Sequence, residues 1–249
     1  MNRQRTIGLM VALGLAVGWT AWSQAAEDTG SITGKVFFKG EPEGRRLLNK
    51  KIDAAEPHCA KVNQGKKIGS ERFIFNKKSG TVRNVVVFVK EGLGERTFET
   101  PRASVTLDQT GCMYRPHILT MQTGQTLVVK NSDATAHNIH GMPKKNPPFN
   151  FGQPKENLTR EISLKRAEIF KVKCDIHSWM NAYIAVFEHP FHSVTGKDGV
   201  FTISGLPPGE YVIAAWHEKY GEVVTKKVTV RAGEVTEADL TIEDKKDKK

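Results

Sequence analysis

Short apolar runs separated by turn residues dominate this chain. The runs are rich in Val, Ile, Phe and Thr and lie between Gly, Pro and Asn residues, and no stretch keeps the spacing of an amphipathic helix. The pattern predicts strands at residues 31–38, 72–75, 81–89, 104–107, 118–122, 126–130, 169–174, 182–187, 211–216, 227–230 and 237–242. We therefore expect an all-β protein.

Two longer segments interrupt the strand pattern. Residues 41–69 are polar, and we expect a long loop there, in which a helical turn is an option. Residues 141–154 contain four prolines, which forbid a regular helix and limit strand pairing. We expect that segment to form an ordered surface loop.

The C-terminal part has a different residue pattern, with short apolar runs between closely spaced Gly and Pro residues. Residues 196–211 read as a turn, a strand and a Pro-Pro-Gly turn into a further strand, which resembles the carboxypeptidase regulatory-like, transthyretin-type β-sandwiches. The resemblance implies a small C-terminal β-sandwich at residues 189–243. Residues 31–40 look similar, so residues 26–108, an N-terminal β extension, either form part of another such sandwich or pair with the C-terminal one.

The first 25 residues have the features of a secretory signal peptide. Two arginines precede a short apolar core, and Ser23-Gln24-Ala25 supplies a small-x-small cleavage site. A retained N-terminal anchor is the alternative. No second hydrophobic span follows, so we expect a periplasmic or secreted protein without an integral membrane segment once the signal is removed. Residues 244–249 form a charged tail.

The formal net charge is +10, from 37 basic and 27 acidic residues. A basic balance favours an acidic partner surface or anionic lipid, and simple solubility is the alternative explanation. Nucleic acid is not an expected partner, because an exported chain without a basic-aromatic binding motif lacks the usual signature.

The strongest chemical signal is Cys174, His177 and Met180, spaced C-x2-H-x2-M. A thiolate, an imidazole and a thioether at this spacing can converge on one metal ion if a tight loop between two strands carries them. Two histidines and a cysteine with a long axial methionine form the mononuclear blue-copper arrangement, and soft sulfur ligands favour copper over calcium or magnesium. His137, which follows an apolar strand upstream, supplies the second histidine.

His137-Asn138, followed about forty residues later by the Cys-His-Met loop, resembles the cupredoxins, with a ligand loop most similar to those of amicyanins and plastocyanins. The resemblance implies a cupredoxin-like Greek-key β-sandwich at residues 109–188. It also implies one copper ion held by His137, Cys174, His177 and Met180, with Asn138 tying the two ligand segments together. This sequence departs from the family in Asp175 and Ile176, and in a nearby second histidine, His140.

The resemblance also bears on the three cysteines. If Cys174 binds the metal, Cys59 and Cys112 remain as a pair in an oxidising compartment. The sequence alone allows three pairings, and two buried free thiols are a further alternative.

His117, near Tyr114, is expected to be a structural histidine.

The function that these features favour is a non-enzymatic, one-electron carrier between redox partners such as a cytochrome. In that hypothesis His177 is exposed at one edge and Trp179 helps to form the docking surface. The alternatives are a copper-delivery protein without redox turnover and a structural β-module with a vestigial site. Enzyme motifs find no support, since the ligand loop has a single cysteine and His217-Glu218 lacks the second histidine of a zinc-protease motif.

Overall fold

The computed structural model describes residues 29–244, so the expected signal peptide and all but the first residue of the charged tail lie outside it. Two short helices, α1 (Asn49–Asp53) and α2 (Pro57–Val62), interrupt an otherwise all-β chain. The strands are β1 Gly30–Lys39, β2 Ile74–Asn76, β3 Thr81–Arg83, β4 Val86–Glu91, β5 Val105–Gln109, β6 Tyr114–Arg115, β7 Ile118–Gln122, β8 Thr126–Asn131, β9 His137–Gly141, β10 Phe149–Gln153, β11 Thr159–Ser163, β12 Glu168–Lys173, β13 Asn181–Phe187, β14 His192–Val194, β15 Val200–Leu206, β16 Gly209–His217, β17 Gly221–Val230, β18 Val235–Glu237 and β19 Leu240–Glu243. Neither helix in the described range is long or apolar enough to cross a membrane.

The two ends of the described chain share one pair of sheets, which we call the end sandwich. One sheet has the order β15-β1-β3-β2, with β18 and β19 pairing in parallel to β1, and the other has the order β14-β4-β16-β17. Inward side chains such as Ile32, Val36, Val87 and Ile213 are buried between them. Of the two alternatives for the N-terminal segment, pairing with the C-terminal strands is therefore what the structure contains.

The strand expected at residues 81–89 is divided between the two sheets of the end sandwich. Asn84 has a φ of 63°, a left-handed conformation that Asn tolerates better than most residues. The chain turns there, so that β3 lies in one sheet and β4 in the other. The Thr195 hydroxyl, which accepts from Val85 N at 2.9 Å, replaces the hydrogen bond that a continuous strand would have made.

The central part of the chain forms the inner sandwich. Its sheets have the orders β10-β9-β12-β13-β7 and β11-β8-β5-β6. The parallel pairs β13 with β7 and β5 with β8 accompany antiparallel neighbours. Leu107, Leu127, Ile139, Phe170 and Ile184 fill the core between the two sheets. The all-β sandwich prediction is confirmed.

The two sandwiches meet through a small apolar cluster. Val86 of the end sandwich packs with Ile118, Ala185 and Phe187 of the inner one, and the Phe88 and Phe187 rings lie 4.9 Å apart. This junction joins the sandwiches through buried side chains as well as through the backbone.

Two expectations about loops are wrong in detail. Residues 41–69 contain both helices, and α2 begins at Pro57 where the Glu56 carboxylate accepts from the backbone N–H groups of His58 and Cys59. Residues 141–154 contain β10, which pairs antiparallel with β9. Strand pairing is possible there because the prolines lie before and after β10 rather than within it.

Candidate metal centre

The ligand residues predicted from the sequence lie where strands of the inner sandwich begin or end. His137 opens β9, Cys174 follows the last residue of β12, and Met180 precedes the first residue of β13. The intervening loop is closed by its own backbone, since Cys174 N donates to Met180 O at 3.0 Å and Met180 N donates to His177 O at 2.9 Å. Within this closed loop the proposed ligands are buried, and the side chains of Asp175, Ile176 and Ser178 are exposed.

The fold brings His137, Cys174 and His177 together. One side-chain nitrogen or sulfur from each lies within 4.8 Å of the others, and all three residues are buried. The two Nδ1 atoms are 2.9 Å apart, and His177 Nδ1 lies 3.8 Å from Cys174 Sγ. Met180 is buried on the same loop.

Asp133 orients the first histidine. Its Oδ2 lies 2.9 Å from His137 Nε2, which leaves Nδ1 directed at the other two residues. Asp133 is held in turn by Gly111 N and Cys112 N, at 2.7 and 2.8 Å, where two successive residues have positive φ values of 63° and 54°. Burial opposes ionisation, but the His137 contact and these two N–H groups hold the pKa of Asp133 below its ordinary value.

His177 is covered rather than exposed. Its Nε2 lies 3.7 Å from Cys59 Sγ, its ring is 5.0 Å from the Trp179 ring, and only 2% of its surface is accessible. Trp179 is 7% exposed and donates from Nε1 to Cys112 O at 2.9 Å. The expectations that His177 would be exposed and that Trp179 would form the docking surface are therefore wrong, because α2 and the disulfide close over both rings.

A disulfide bond forms part of the cover over His177. Cys59 and Cys112 form a disulfide across 53 residues of sequence, and Cys174 is a buried free thiol. The expected pairing is confirmed. No sequence pattern predicts that the bridge lies against His177, because Cys59 is 118 positions from His177 in the chain.

The Cys174 sulfur has an environment that favours the thiolate. Burial would raise the pKa of this thiol, but hydrogen bonds with His137 and His177 and the backbone N–H groups of Asn138 and His177 lower it to about 6. Asn138 also joins the two ligand segments, as the resemblance implied, since its Oδ1 accepts from Asp175 N at 2.7 Å and lies 3.3 Å from Cys174 Sγ.

The remaining candidates lie outside the cluster. His140 pairs through Nδ1 with Asp175 Oδ2 at 3.0 Å on the surface. Asp175 also contacts Lys173, which is the main reason that the pKa of its carboxyl is held far below the ordinary value. His117 is buried and bonds to Glu218 and to Asn181 O, at 2.8 and 3.1 Å.

Sequence reasoning missed Asp133. A signal was available, because Asp133 lies four residues before His137 in Ser-Asp-Ala-Thr-Ala-His. A carboxylate on the second nitrogen is the common companion of a metal-binding histidine. The donor set of two imidazoles, one thiolate and a buried thioether fits copper, and each histidine has its second ring nitrogen engaged elsewhere.

Among known protein families, one matches the C-terminal part of the chain. The carboxypeptidase regulatory-like domain family matches residues 179–243, which confirms the resemblance of the C-terminal strands. No match was found among curated proteins.

Similar solved structures include three copper proteins. A copper-containing nitrite reductase from Thermus scotoductus SA-01 is 20% identical with a TM-score of 0.32, over 38% of this chain and 26% of the reductase. A purple cupredoxin from Nitrosopumilus maritimus is 19% identical, TM-score 0.29, over 33% of this chain and 99% of that one. An amicyanin variant in its Cu(I) form is 18% identical with a TM-score of 0.31, over 40% of this chain and 97% of the amicyanin. This chain is thus similar to a regulatory-like β-domain at its C-terminal end and to cupredoxins over part of its length.

Proposed function

We propose that the inner sandwich binds one copper ion through His137, Cys174, His177 and Met180, and that the protein carries single electrons outside the cytoplasm. The observation that carries the proposal is the convergence of two imidazole nitrogens and one thiol sulfur within 4.8 Å, in a buried cluster. Copper would supply the one-electron chemistry. The chain's own residues orient the imidazoles, favour the thiolate and exclude water.

The burial of the ligands favours electron transfer over copper delivery. A delivery protein must release its metal to a partner, which is easiest when the ligands lie at the surface. Here His137 and His177 are enclosed, and the Cys59–Cys112 bridge closes one side of the cluster. A carrier needs only that the ligands hold the metal in both oxidation states. No catalytic residue is assigned.

The first experiment is the visible spectrum of the purified, copper-loaded protein. A copper-thiolate bond gives intense visible charge transfer, so the oxidised protein should be coloured and should hold one copper. Cys174→Ser should remove the colour, whereas Ser178→Ala, an exposed change on the same loop, should keep it. Retained absorption in Cys174→Ser, or binding of zinc alone after copper loading, would contradict the ligand assignment.

Voltammetry separates the electron carrier from its alternatives. A reversible one-electron couple supports the carrier. Bound copper without a reversible couple would favour delivery, and failure to bind any copper would favour a structural β-module.

A further inference from the structure

A cavity of about 460 Å³ lies where the two sandwiches meet. One wall comes from the loop before α1 and from the approach to β2, and the opposite wall comes from β12 and β13. Its charged lining includes Arg45, Arg46, Arg72 and Lys171, together with two carboxylates. Cations from both sandwiches therefore face one space.

Both carboxylates of this cavity have partners of their own. Glu43 pairs with Lys219 at 2.7 Å, and Glu218 lies 2.8 Å from the buried His117. Arg45 is held by the carbonyl oxygens of Gly69 and Ser70, both at 3.0 Å.

Three other cations of the lining have no such partner. Within residues 29–244, no ion pair engages the side chains of Arg46, Arg72 or Lys171. Four cations and two carboxylates line the cavity, so its lining carries an excess of positive charge.

A second, shallower cavity of about 230 Å³ connects this space to the ligand loop. It shares Lys171 and Asn181 with the first, and its other lining residues are Cys174, Ser178, Met180 and the ion pair of Lys173 with Asp175. The Asn181 side chain donates to Trp179 O at 3.1 Å, so the shared wall is bonded directly to the loop. We call the two neighbouring cavities together the basic groove, which lies between the Cys174 side of the site and the junction of the sandwiches.

We propose that the basic groove is the docking site for an acidic redox protein, an inference that rests on the proposed electron-carrier function. The His177 side of the site is closed by the disulfide and Trp179, whereas Cys174 and Met180, which are themselves buried, line the smaller cavity on the other side. Unpaired arginines and lysines in a concavity attract an acidic surface and raise its rate of encounter. A docked acidic patch would lie against the strand ends that carry Cys174 and Met180.

The test uses charge-matched variants. Arg46→Gln with Arg72→Gln removes two groove cations, while Lys77→Gln with Lys78→Gln removes two exposed charges from the turn between β2 and β3. Lys61→Gln removes a charge from α2, on the closed side. All these positions are exposed, and none of the five side chains takes part in an ion pair within residues 29–244.

The kinetic arm measures oxidation of the reduced copper protein by hexacyanoferrate(III) and by tris(phenanthroline)cobalt(III). Each protein copper gives one electron to one iron or cobalt, which is reduced to the divalent state. The groove pair should slow the anionic oxidant about tenfold and leave the cationic oxidant as fast or faster. An oligoglutamate peptide should inhibit the anionic reaction of the wild-type protein. The docking proposal would be wrong if the Lys77 and Lys78 pair slowed the anionic oxidant as much as the groove pair does. It would also be wrong if Lys61→Gln slowed that oxidant and the groove pair did not.

The binding arm needs no copper. Redox-inert hexacyanocobaltate(III), added to the copper-free protein, should shift the amide resonances of Lys171 and Asn181 and leave those of α2 unchanged. Shifts confined to α2, or failure of oligoglutamate to compete, would reject an acidic protein as the occupant. A protein without a reversible copper couple removes the proposed function and the docking role together. A reversible couple with unaltered rates in the groove pair removes the docking site alone.

Discussion

The proposed metal centre has two sides with different surroundings. On the His177 side, a disulfide, an indole ring and α2 pack over the imidazole and leave it 2% exposed. On the Cys174 side, the ligand loop faces a shallow cavity lined by Lys171, Lys173 and Asn181. We call the first the closed side, because a disulfide covers it, and the second the open side, because a cavity lies against it. Cys174 itself is as buried as His177, at 2% exposure. A ligand motif thus determines which atoms meet, but the surrounding chain determines which side a partner can reach.

The closed side gains its order from residues far away in sequence. Asp133 connects the backbone N–H groups of Gly111 and Cys112 to His137, and Cys112 is bonded to Cys59 beside His177. Both ligand imidazoles are therefore positioned by the same covalently bridged segment. The open side has no disulfide in the described residues; there Asp175 contacts Lys173 and His140 through side-chain atoms only.

The largest expected effect comes from removing the disulfide that covers His177. Cys59→Ala with Cys112→Ala removes a bridge across 53 residues, which should lower the free energy of unfolding by about 4 kcal/mol in urea titrations. Loss of the cover should also let added azide or imidazole reach the copper and change the visible spectrum.

Lys61→Ala, on the exposed face of α2, is the matched control and should change neither measurement. A double variant whose stability stays within about 1 kcal/mol of the wild type, and whose spectrum resists azide, would contradict the role of the bridge as a cover.

A smaller effect should follow from changing the carboxylate behind His137. Asp133→Asn keeps the shape of the side chain but removes the charge that fixes the imidazole, and copper affinity should fall about 10- to 100-fold. Asp175→Asn is the matched change on the open side. Its carboxylate contacts His140, Asn138 and Asn150 but no ring of the ligand set, so affinity should stay within a few fold. Competition with a copper chelator measures both. Equal losses of copper affinity in Asp133→Asn and Asp175→Asn would show that the two sides do not differ in how they support the metal.

The strand pattern and the ligand order could be predicted because both depend on local sequence. β7 was expected at residues 118–122 and occupies Ile118–Gln122, since a turn residue bounds the run on each side. Cys174, His177 and Met180 lie within one tight loop, so their spacing alone brought them together. The Cys59–Cys112 bridge followed from counting cysteines, once Cys174 was set aside.

The features that could not be predicted depend on contacts between distant segments. The cover over His177 joins residues 118 positions apart in the chain, and no spacing rule reports such a contact. The division of residues 81–89 depends on the left-handed Asn84, which apolar periodicity does not reveal. β10 was missed because the prolines were counted for the whole segment, whereas strand pairing depends on the position of each proline.

The smallest expected effect on binding lies with Met180, the ligand that borders the open side. Met180→Leu should leave copper bound, because His137, Cys174 and His177 supply most of the binding, while the weak axial thioether tunes the metal. The thioether stabilises oxidised copper more than reduced copper, so its removal should raise the reduction potential. Each tenfold loss of preference for the oxidised form corresponds to about 59 mV for one electron. Voltammetry measures the shift, and His177→Ala is the contrasting change, since loss of a covered imidazole should weaken binding itself. An unchanged potential in Met180→Leu would argue against axial ligation and would leave the open side without a part in tuning the site.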